Sequence, residues 1–182
     1  EITLLGQNVN SYDFEGIKFP ELLSAVAEIP GVRRIRYTSP HPQDINEELL
    51  EVMQKYKNIC NYIHLPLQAG SDRILKRMNR TYTKEHFIEL ALKIRDYLPG
   101  VGISTDIIVG FPGETDDDFE DTINVMNKVN FDSAYTFKYS PRKGTKATEY
   151  DDQIKESIKQ DRLSRVIELQ KSHTLLRNEV YV

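Results

Sequence analysis

Val101-Gly102-Ile103-Ser104-Thr105-Asp106-Ile107-Ile108-Val109-Gly110-Phe111-Pro112-Gly113-Glu114-Thr115 is the stretch that decides the fold. A run rich in β-branched residues, stopped by a glycine–proline cluster, reads as a strand over Val101–Val109. Thr115 then stands where a helix N-cap belongs, because its hydroxyl can accept from a free N–H of the first turn. Asp116, Asp117 and Asp118 follow it, where the positive end of the helix dipole favours anions. The spacing predicts a helix to Val129 and a further strand over Phe131–Tyr139.

The same unit repeats outward. Ile2–Leu5 reads as a strand and Phe19–Glu28 as a helix closed by Pro30-Gly31. Arg33–Ser39 reads as a strand, and Asp44 as the N-cap of a helix over Ile45–Tyr56. Ile59–Leu67 reads as a strand, with helices over Ser71–Met78 and Thr83–Tyr97. Strand and helix alternating every ~30 residues predict an α/β fold of about five parallel strands with outer helices. Residues 141–153 are polar and turn-rich and read as a linker. Apolar positions 154, 158, 163, 166, 169 and 176 predict an amphipathic C-terminal helix to about Asn178.

Strand faces separate an open arc from a closed barrel. If Ile103, Thr105, Ile107 and Val109 face the helices, then Ser104, Asp106, Ile108 and Gly110 face the other way. Likewise Ile63, Leu65 and Leu67 oppose Tyr62, His64 and Gln68. A closed barrel fills its interior with branched apolar side chains. A partly polar interior predicts a partial, open TIM-type barrel holding a polar ligand near the C-terminal strand ends.

Composition bounds the rest. The chain has 182 residues, 39% hydrophobic, with a net charge of −4 and one cysteine. That suits one domain, offers no ~20-residue apolar span, and leaves any RNA contact to local patches. Cys60 alone can form neither an internal disulfide nor a cysteine cage. With no initiator Met, and opening inside a strand, the chain is expected to be a piece of a longer protein.

Several residues qualify for a site. Gly6-Gln7-Asn8-Val9-Asn10 closes the first strand with amides that could hold an amino-acid ligand, or simply make a turn. Pro66 removes a ladder donor, so the segment His64–Ser71 is expected to bend around a ligand, with Gln68 its best candidate. His64 reads more readily as a core histidine. Asp106 needs a partner if buried. Acidic crowding from Glu114 to Asp118 excludes a phosphate loop. His41 sits in the stiff Ser39-Pro40-His41-Pro42 exit. Arg33, Arg34 and Arg36, then Arg73, Lys76, Arg77 and Arg80, then Arg142, Lys143 and Lys146 form three basic groups.

These segments carry a resemblance. Leu4–Tyr12, Thr38–Pro42, His64–Arg73, Met78–Thr83, Thr105–Thr115 and Phe137–Arg142 resemble, in order, the methylthiotransferase branch of the radical-SAM enzymes. The first two are similar to its tRNA-modifying members, which methylthiolate carbon 2 of N(6)-dimethylallyladenosine beside the anticodon. The resemblance implies a radical-SAM type partial barrel over 1–150, lacking the first strand and the Cys-x3-Cys-x2-Cys loop. Residues 151–182 would be a linker and C-terminal helix leading to an RNA-binding domain.

The resemblance also implies the cofactors: S-adenosylmethionine, with two [4Fe–4S] clusters in the full-length parent and none in this chain. In that chemistry a reduced cluster cleaves S-adenosylmethionine to a 5′-deoxyadenosyl radical, and the protein positions it and excludes water. By resemblance Gln7 and Asn8 lie near the methionyl end, and Gln68 and Ser71 near the ribose or methionyl group. Asp106 and Ile108 flank the adenine, and Phe137 and Tyr139 offer it backbone edges. Arg73, Arg77, Arg80 and Arg142 would meet RNA. Implied partners are tRNA and an electron donor, with no membrane and a cytoplasmic setting. Rival readings are a ribosomal-protein methylthiotransferase and a non-catalytic binding module.

Overall fold

A computed structural model describes residues 1–179; the last three residues of the expected C-terminal segment, 180–182, lie outside them. The chain divides into two compact units. The first is Glu1–Leu65 with Leu90–Ile103, and the second is Pro66–Glu89 with Ser104–Val182.

In the first unit β1 (Ile2–Leu4) pairs in parallel with β4 (Ile35–Tyr37), and Ile35 bridges Ile59, also in parallel. Between them lie the short antiparallel strands β2 (Asp13–Phe14) and β3 (Ile17–Lys18). That hairpin, which the sequence reading did not foresee, turns on Glu15 and Gly16, both at positive φ as a two-residue hairpin loop requires. Helix α1 (Phe19–Ala27) packs on α2 (Glu47–Lys55). The N-cap of α2 is Asn46, whose side chain accepts from Leu49 N–H, not Asp44, which lies in the 3-10 turn Pro42–Asp44. Phe19, Leu23, Ile35, Leu49, Leu50 and Ile63 are at most 1% exposed, each contributing roughly 1.5–3 kcal/mol by burial. Strand β5 (Tyr62–His64) and the start of β6 (Gly102–Val109) complete this unit.

The expected strand Ile59–Leu67 is shorter than predicted. Pairing stops at His64, and one parallel bridge re-forms at Gln68 with Ile107, inside the second unit. Pro66 explains the gap, since it carries no N–H to donate.

The second unit contains α3 (Asp72–Arg77), the start of α4 (Lys84–Tyr97), the rest of β6, α5 (Asp116–Val129), β7 (Ser133–Lys138) and α6 (Glu156–Asn178). β6 and β7 pair in parallel from Ser104·Ser133 to Val109·Lys138. Among the described residues β1·β4, Ile35·Ile59, Gln68·Ile107 and β6·β7 all pair in parallel, as the strand–helix alternation demands. Thr105, Ile107 and Val109 are buried, whereas Asp106 and Ile108 on the opposite face are half-exposed. Ser104, on that second face, is also buried.

Helix α6 departs from its predicted face. Its buried stripe is Lys159, Arg162, Val166, Gln170 and His173, while Ile158 and Leu176 are exposed. Only Val166 belongs to the apolar set the spacing predicted. The polar side chains are tolerated because each finds a partner: Lys159 Nζ donates to the Tyr139 carbonyl (3.2 Å), Gln170 Nε2 to the Phe131 carbonyl (2.9 Å), and His173 Nε2 lies 3.2 Å from Asn127 Oδ1.

Candidate functional site

A cavity of about 970 Å³ opens in the second unit, at the carboxyl ends of its parallel strands. Gln68, Asp106, Ile108, Phe137 and Tyr139 line it together, so five of the eight cofactor candidates meet there. Register explains three of them, since Ile108 stands opposite Phe137 on paired strands and Asp106 opposite Tyr135. Gln68 joins through its backbone: its N–H donates to the Asp106 carbonyl and its carbonyl accepts from Ile108 N–H, both at 2.8 Å. Gln68 does this at φ +67°, a left-handed conformation that costs a residue with a Cβ about 1–2 kcal/mol. Strain of this kind concentrates at functional sites.

Gln7 and Asn8 are exposed in the first unit. Their loop is held by its neighbour Asn10, whose Nδ2 donates to the His41 carbonyl (2.9 Å) and whose Oδ1 accepts from His41 N–H (2.7 Å). Two of the motifs singled out in the sequence thus meet through Asn10 and His41.

Ser71 does not line the cavity. Its hydroxyl donates to Asp118 Oδ1 at 2.5 Å. Arg73 pairs with the same carboxylate and donates to the Gly113 carbonyl, and Thr115 N–H donates to Asp118 Oδ2 at 2.8 Å. Burial alone would raise Asp118, but these donors outweigh it and hold its carboxyl well below the usual range. The acidic cap at α5 is therefore a knot that ties α3 to α5. Glu114 is not part of that cap: it is 3% exposed, accepts from Gly110 N–H (2.8 Å) and pairs with Arg162 (2.8 Å). Burial pushes its carboxyl up, opposed by the Gly110 and Arg162 donors.

Of the four arginines expected to meet RNA, Arg77, Arg80 and Arg142 line the cavity and Arg73 does not. Arg77 is itself paired with Asp152 (2.7 Å). Sequence reasoning passed over Lys76, Lys138 and Lys146 as site residues, yet they line the same space. Lys76 and Lys146 stood in the basic groups but drew no role, and Lys138 lay in the segment Phe137–Arg142 without its charge being singled out. Six cationic side chains therefore surround the cavity against one carboxylate, Asp106, in a chain whose net charge is −4. Three polar atoms of lining residues, Arg77 Nε, Arg80 Nε and Tyr139 Oη, are buried with no hydrogen-bond partner, and a buried donor left unmade is costly. Phe137 is 52% exposed.

Parallel strands with helical connections and a polar cavity at their carboxyl ends place this chain in the α/β, barrel-type class of folds. The model of the Radical SAM superfamily matches residues 1–126, and the chain belongs to that superfamily. It is 49% identical to a tRNA-2-methylthio-N(6)-dimethylallyladenosine synthase of Moorella thermoacetica, over 100% of this chain and 42% of that protein. It is 52% identical to the synthase of the same name from Acetivibrio thermocellus, over 93% of this chain and 36% of that one. The chain thus spans about two fifths of the length of these relatives. Among solved structures, coproporphyrinogen III oxidase (HemN) of Escherichia coli, a radical SAM enzyme, shares the fold. Its TM-score is 0.62 at 18% identity, over 84% of this chain and 36% of that one. Elp3 of the archaeon Methanocaldococcus infernus aligns with a TM-score of 0.52 at 17% identity, over 77% of this chain and 32% of that one.

Membership in the superfamily implies S-adenosylmethionine and an iron–sulfur cluster. The chain's single cysteine cannot supply the three thiolates such a cluster takes. Among the described residues no group of three or more His, Cys, Asp or Glu side chains could hold a metal ion. These residues do not fit the cluster. No helix among the described residues is long and apolar enough to cross a membrane.

Proposed function

We propose that this chain is the barrel segment of a radical-SAM enzyme that methylthiolates carbon 2 of N(6)-dimethylallyladenosine in tRNA, next to the anticodon. The carrying observation is the meeting of Gln68, Asp106, Ile108, Phe137 and Tyr139 in one cationic cavity. About 50% identity to synthases of that name supports the same reading.

In this reading residues 1–150 are the partial barrel and 151–182 lead toward an RNA-binding domain. Two [4Fe–4S] clusters belong to the full-length protein and none to these residues, which alone do not catalyse the reaction. S-adenosylmethionine would be held in the cavity, and on accepting one electron from a reduced cluster outside these residues it would yield methionine and the 5′-deoxyadenosyl radical. This chain's part is to bind and orient it: Gln68 offers an amide to its polar groups, Asp106 and Ile108 line the strand that flanks its adenine, and the backbones of Phe137 and Tyr139 offer that base their edges. Ser71 contributes by holding the Asp118 knot, while Gln7 and Asn8 approach the methionyl end. Arg80 and Arg142 contact RNA, whereas Arg73 and Arg77 are committed to Asp118 and Asp152. An electron donor reduces the clusters, and the setting is the cytoplasm.

The full-length protein, reconstituted anaerobically, should be given tRNA lacking the 2-methylthio group in one reaction and ribosomal protein in another. Methylthiolated adenosine in the tRNA digest is expected. Modification of the ribosomal protein alone, or of neither, overturns the proposal.

A further inference from the structure

Residues 141–152 form a strap after β7 that lines the cavity through Arg142, Lys146 and Tyr150. Within itself the strap has only short-range bonds, such as Thr145 N–H to the Arg142 carbonyl (3.1 Å) and Thr148 N–H to the Thr145 carbonyl (3.1 Å). Its position is set at its far end. Asp152 Oδ1 accepts from Arg77 Nη2 at 2.7 Å, and the Asp152 carbonyl accepts from Gly113 N–H at 2.8 Å. The Arg77 guanidinium lies 4.4 Å over the Tyr150 ring, and Phe111 meets that ring edge-on at 6.5 Å. Gly113, at φ +80°, has no room for a Cβ, which would strike Asp152 and the Arg77 guanidinium.

Four of the six cations round the cavity, Lys76, Arg80, Arg142 and Lys146, have no carboxylate partner among the described residues. Two stand on α3 and the turn after it, and two on the strap. Like charges gathered without counter-ions repel one another and favour a ligand that brings several negative charges in a row. The exposed Phe137 ring between them suits an unstacked base. A single-stranded phosphodiester chain carries both features.

We propose that the strap and α3 form two jaws that grip the backbone of single-stranded RNA, Arg142 and Lys146 on one side and Lys76 and Arg80 on the other. Arg77 and Asp152 are the positioning residues that clasp the strap and do not touch the RNA. The partner's identity rests on the tRNA reading above; the clasp rests on geometry alone.

The test uses the full-length protein and a fluorescently labelled anticodon stem–loop RNA, with affinity measured against salt. Replacing Arg142 and Lys146 together with glutamine is expected to flatten the plot of log affinity against log salt by about 1.4, ~0.7 for each lost phosphate contact. The discriminating pair is Arg77→Gln and Asp152→Asn. A clasp predicts that each weakens binding, and that the exchange Arg77→Asp with Asp152→Arg restores it. Direct contact between Arg77 and phosphate predicts the opposite sign for Asp152→Asn, since removing the carboxylate frees the guanidinium. Tighter or unchanged binding by Asp152→Asn overturns the clamp. A wild-type protein that ignores the RNA at low salt overturns the tRNA reading and the jaws together. Trypsin cleavage after Lys143 and Lys146 then judges the clasp: faster cutting in Asp152→Asn upholds it, and equal rates overturn it.

Discussion

Arg162 on α6 reaches Glu114 in the turn after β6 with 2.8 Å between Nη1 and Oε1, and the two side chains are 5% and 1% exposed. Arg162 also donates to the Glu114 carbonyl at 3.1 Å and pairs with Asp116 at 2.7 Å. The pair joins the C-terminal helix to the turn that begins α5.

Breaking one side of this pair should therefore be expensive. Arg162→Met leaves a buried carboxylate uncompensated and is expected to cost about 3–5 kcal/mol. Adding Glu114→Gln removes the stranded charge while keeping an acceptor for Gly110 N–H, so the double variant should recover most of that loss. Chemical denaturation of the three proteins measures both steps. A double variant no more stable than Arg162→Met would show that the ion pair is not what holds the helix.

At Gln68 stability and binding should separate. Glycine adopts φ +67° freely, so Gln68→Gly relieves the left-handed strain, about 1–2 kcal/mol, against up to ~1 kcal/mol of added chain entropy. Its melting temperature should match or exceed the wild type, whereas the β-branched Gln68→Val should melt lower. Both should lose S-adenosylmethionine affinity, read by equilibrium dialysis on the full-length protein. Full affinity in Gln68→Gly would take the side chain out of the site.

Asp106→Asn keeps the shape while removing the charge and one acceptor. In the full-length enzyme it should fold normally yet produce 5′-deoxyadenosine at least about tenfold more slowly, a barrier increase of ~1.4 kcal/mol. Unchanged turnover with a lowered melting temperature would assign Asp106 to structure alone.

Stability should rise with pH in two separate windows. Burial lowers His173 from its ordinary 6.5, and its Nδ1 is buried with no partner. Its neutral form is favoured in the fold, so its contribution is complete above 6.5 and is lost as pH falls below that value. Asp118 is held below its ordinary 3.8, so its contribution is complete above 3.8 and is lost only at lower pH. His173→Gln should flatten the first step and leave the second. Glu114, raised by burial, acts in the opposite sense above pH 4.5, so the comparison is between variants: a change in denaturation midpoint from pH 7 to pH 5 that is the same in wild type and His173→Gln would contradict the placement of His173.

Much of this was legible in the residues themselves. The β6–turn–α5 unit follows its predicted bounds to within a residue, and the Thr115 cap is made by the hydroxyl expected to make it (3.2 Å to Asp118 N–H). Alternation along β6 put Asp106 and Ile108 on the face opposite Thr105 and Ile107, where the structure has them, and Pro66 falls where strand pairing is interrupted. Each of these signals is local, acting over a few residues. Asp44 was misread because Asn46, two residues on, is an equally good cap, and the chain's entry angle chose between them.

The polar stripe of α6 was invisible for a different reason. Hydrophobic periodicity assumes that a buried face is apolar, and Lys159, Arg162, Gln170 and His173 are buried only because acceptors on other elements await them. The basic groups were equally ambiguous, since nothing in spacing tells a cation that faces a cavity from one already tied to a carboxylate. By itself the sequence determined the parallel α/β class, the strand-to-helix turns and the family, because these depend on short-range patterning. Tertiary structure alone decided that Arg73 and Arg77 are ligands of Asp118 and Asp152 while Arg80 and Arg142 face the cavity. Ion pairing falls off over a few ångströms, and the partners that neutralise Arg73 and Arg77 stand 45 and 75 residues away along the chain.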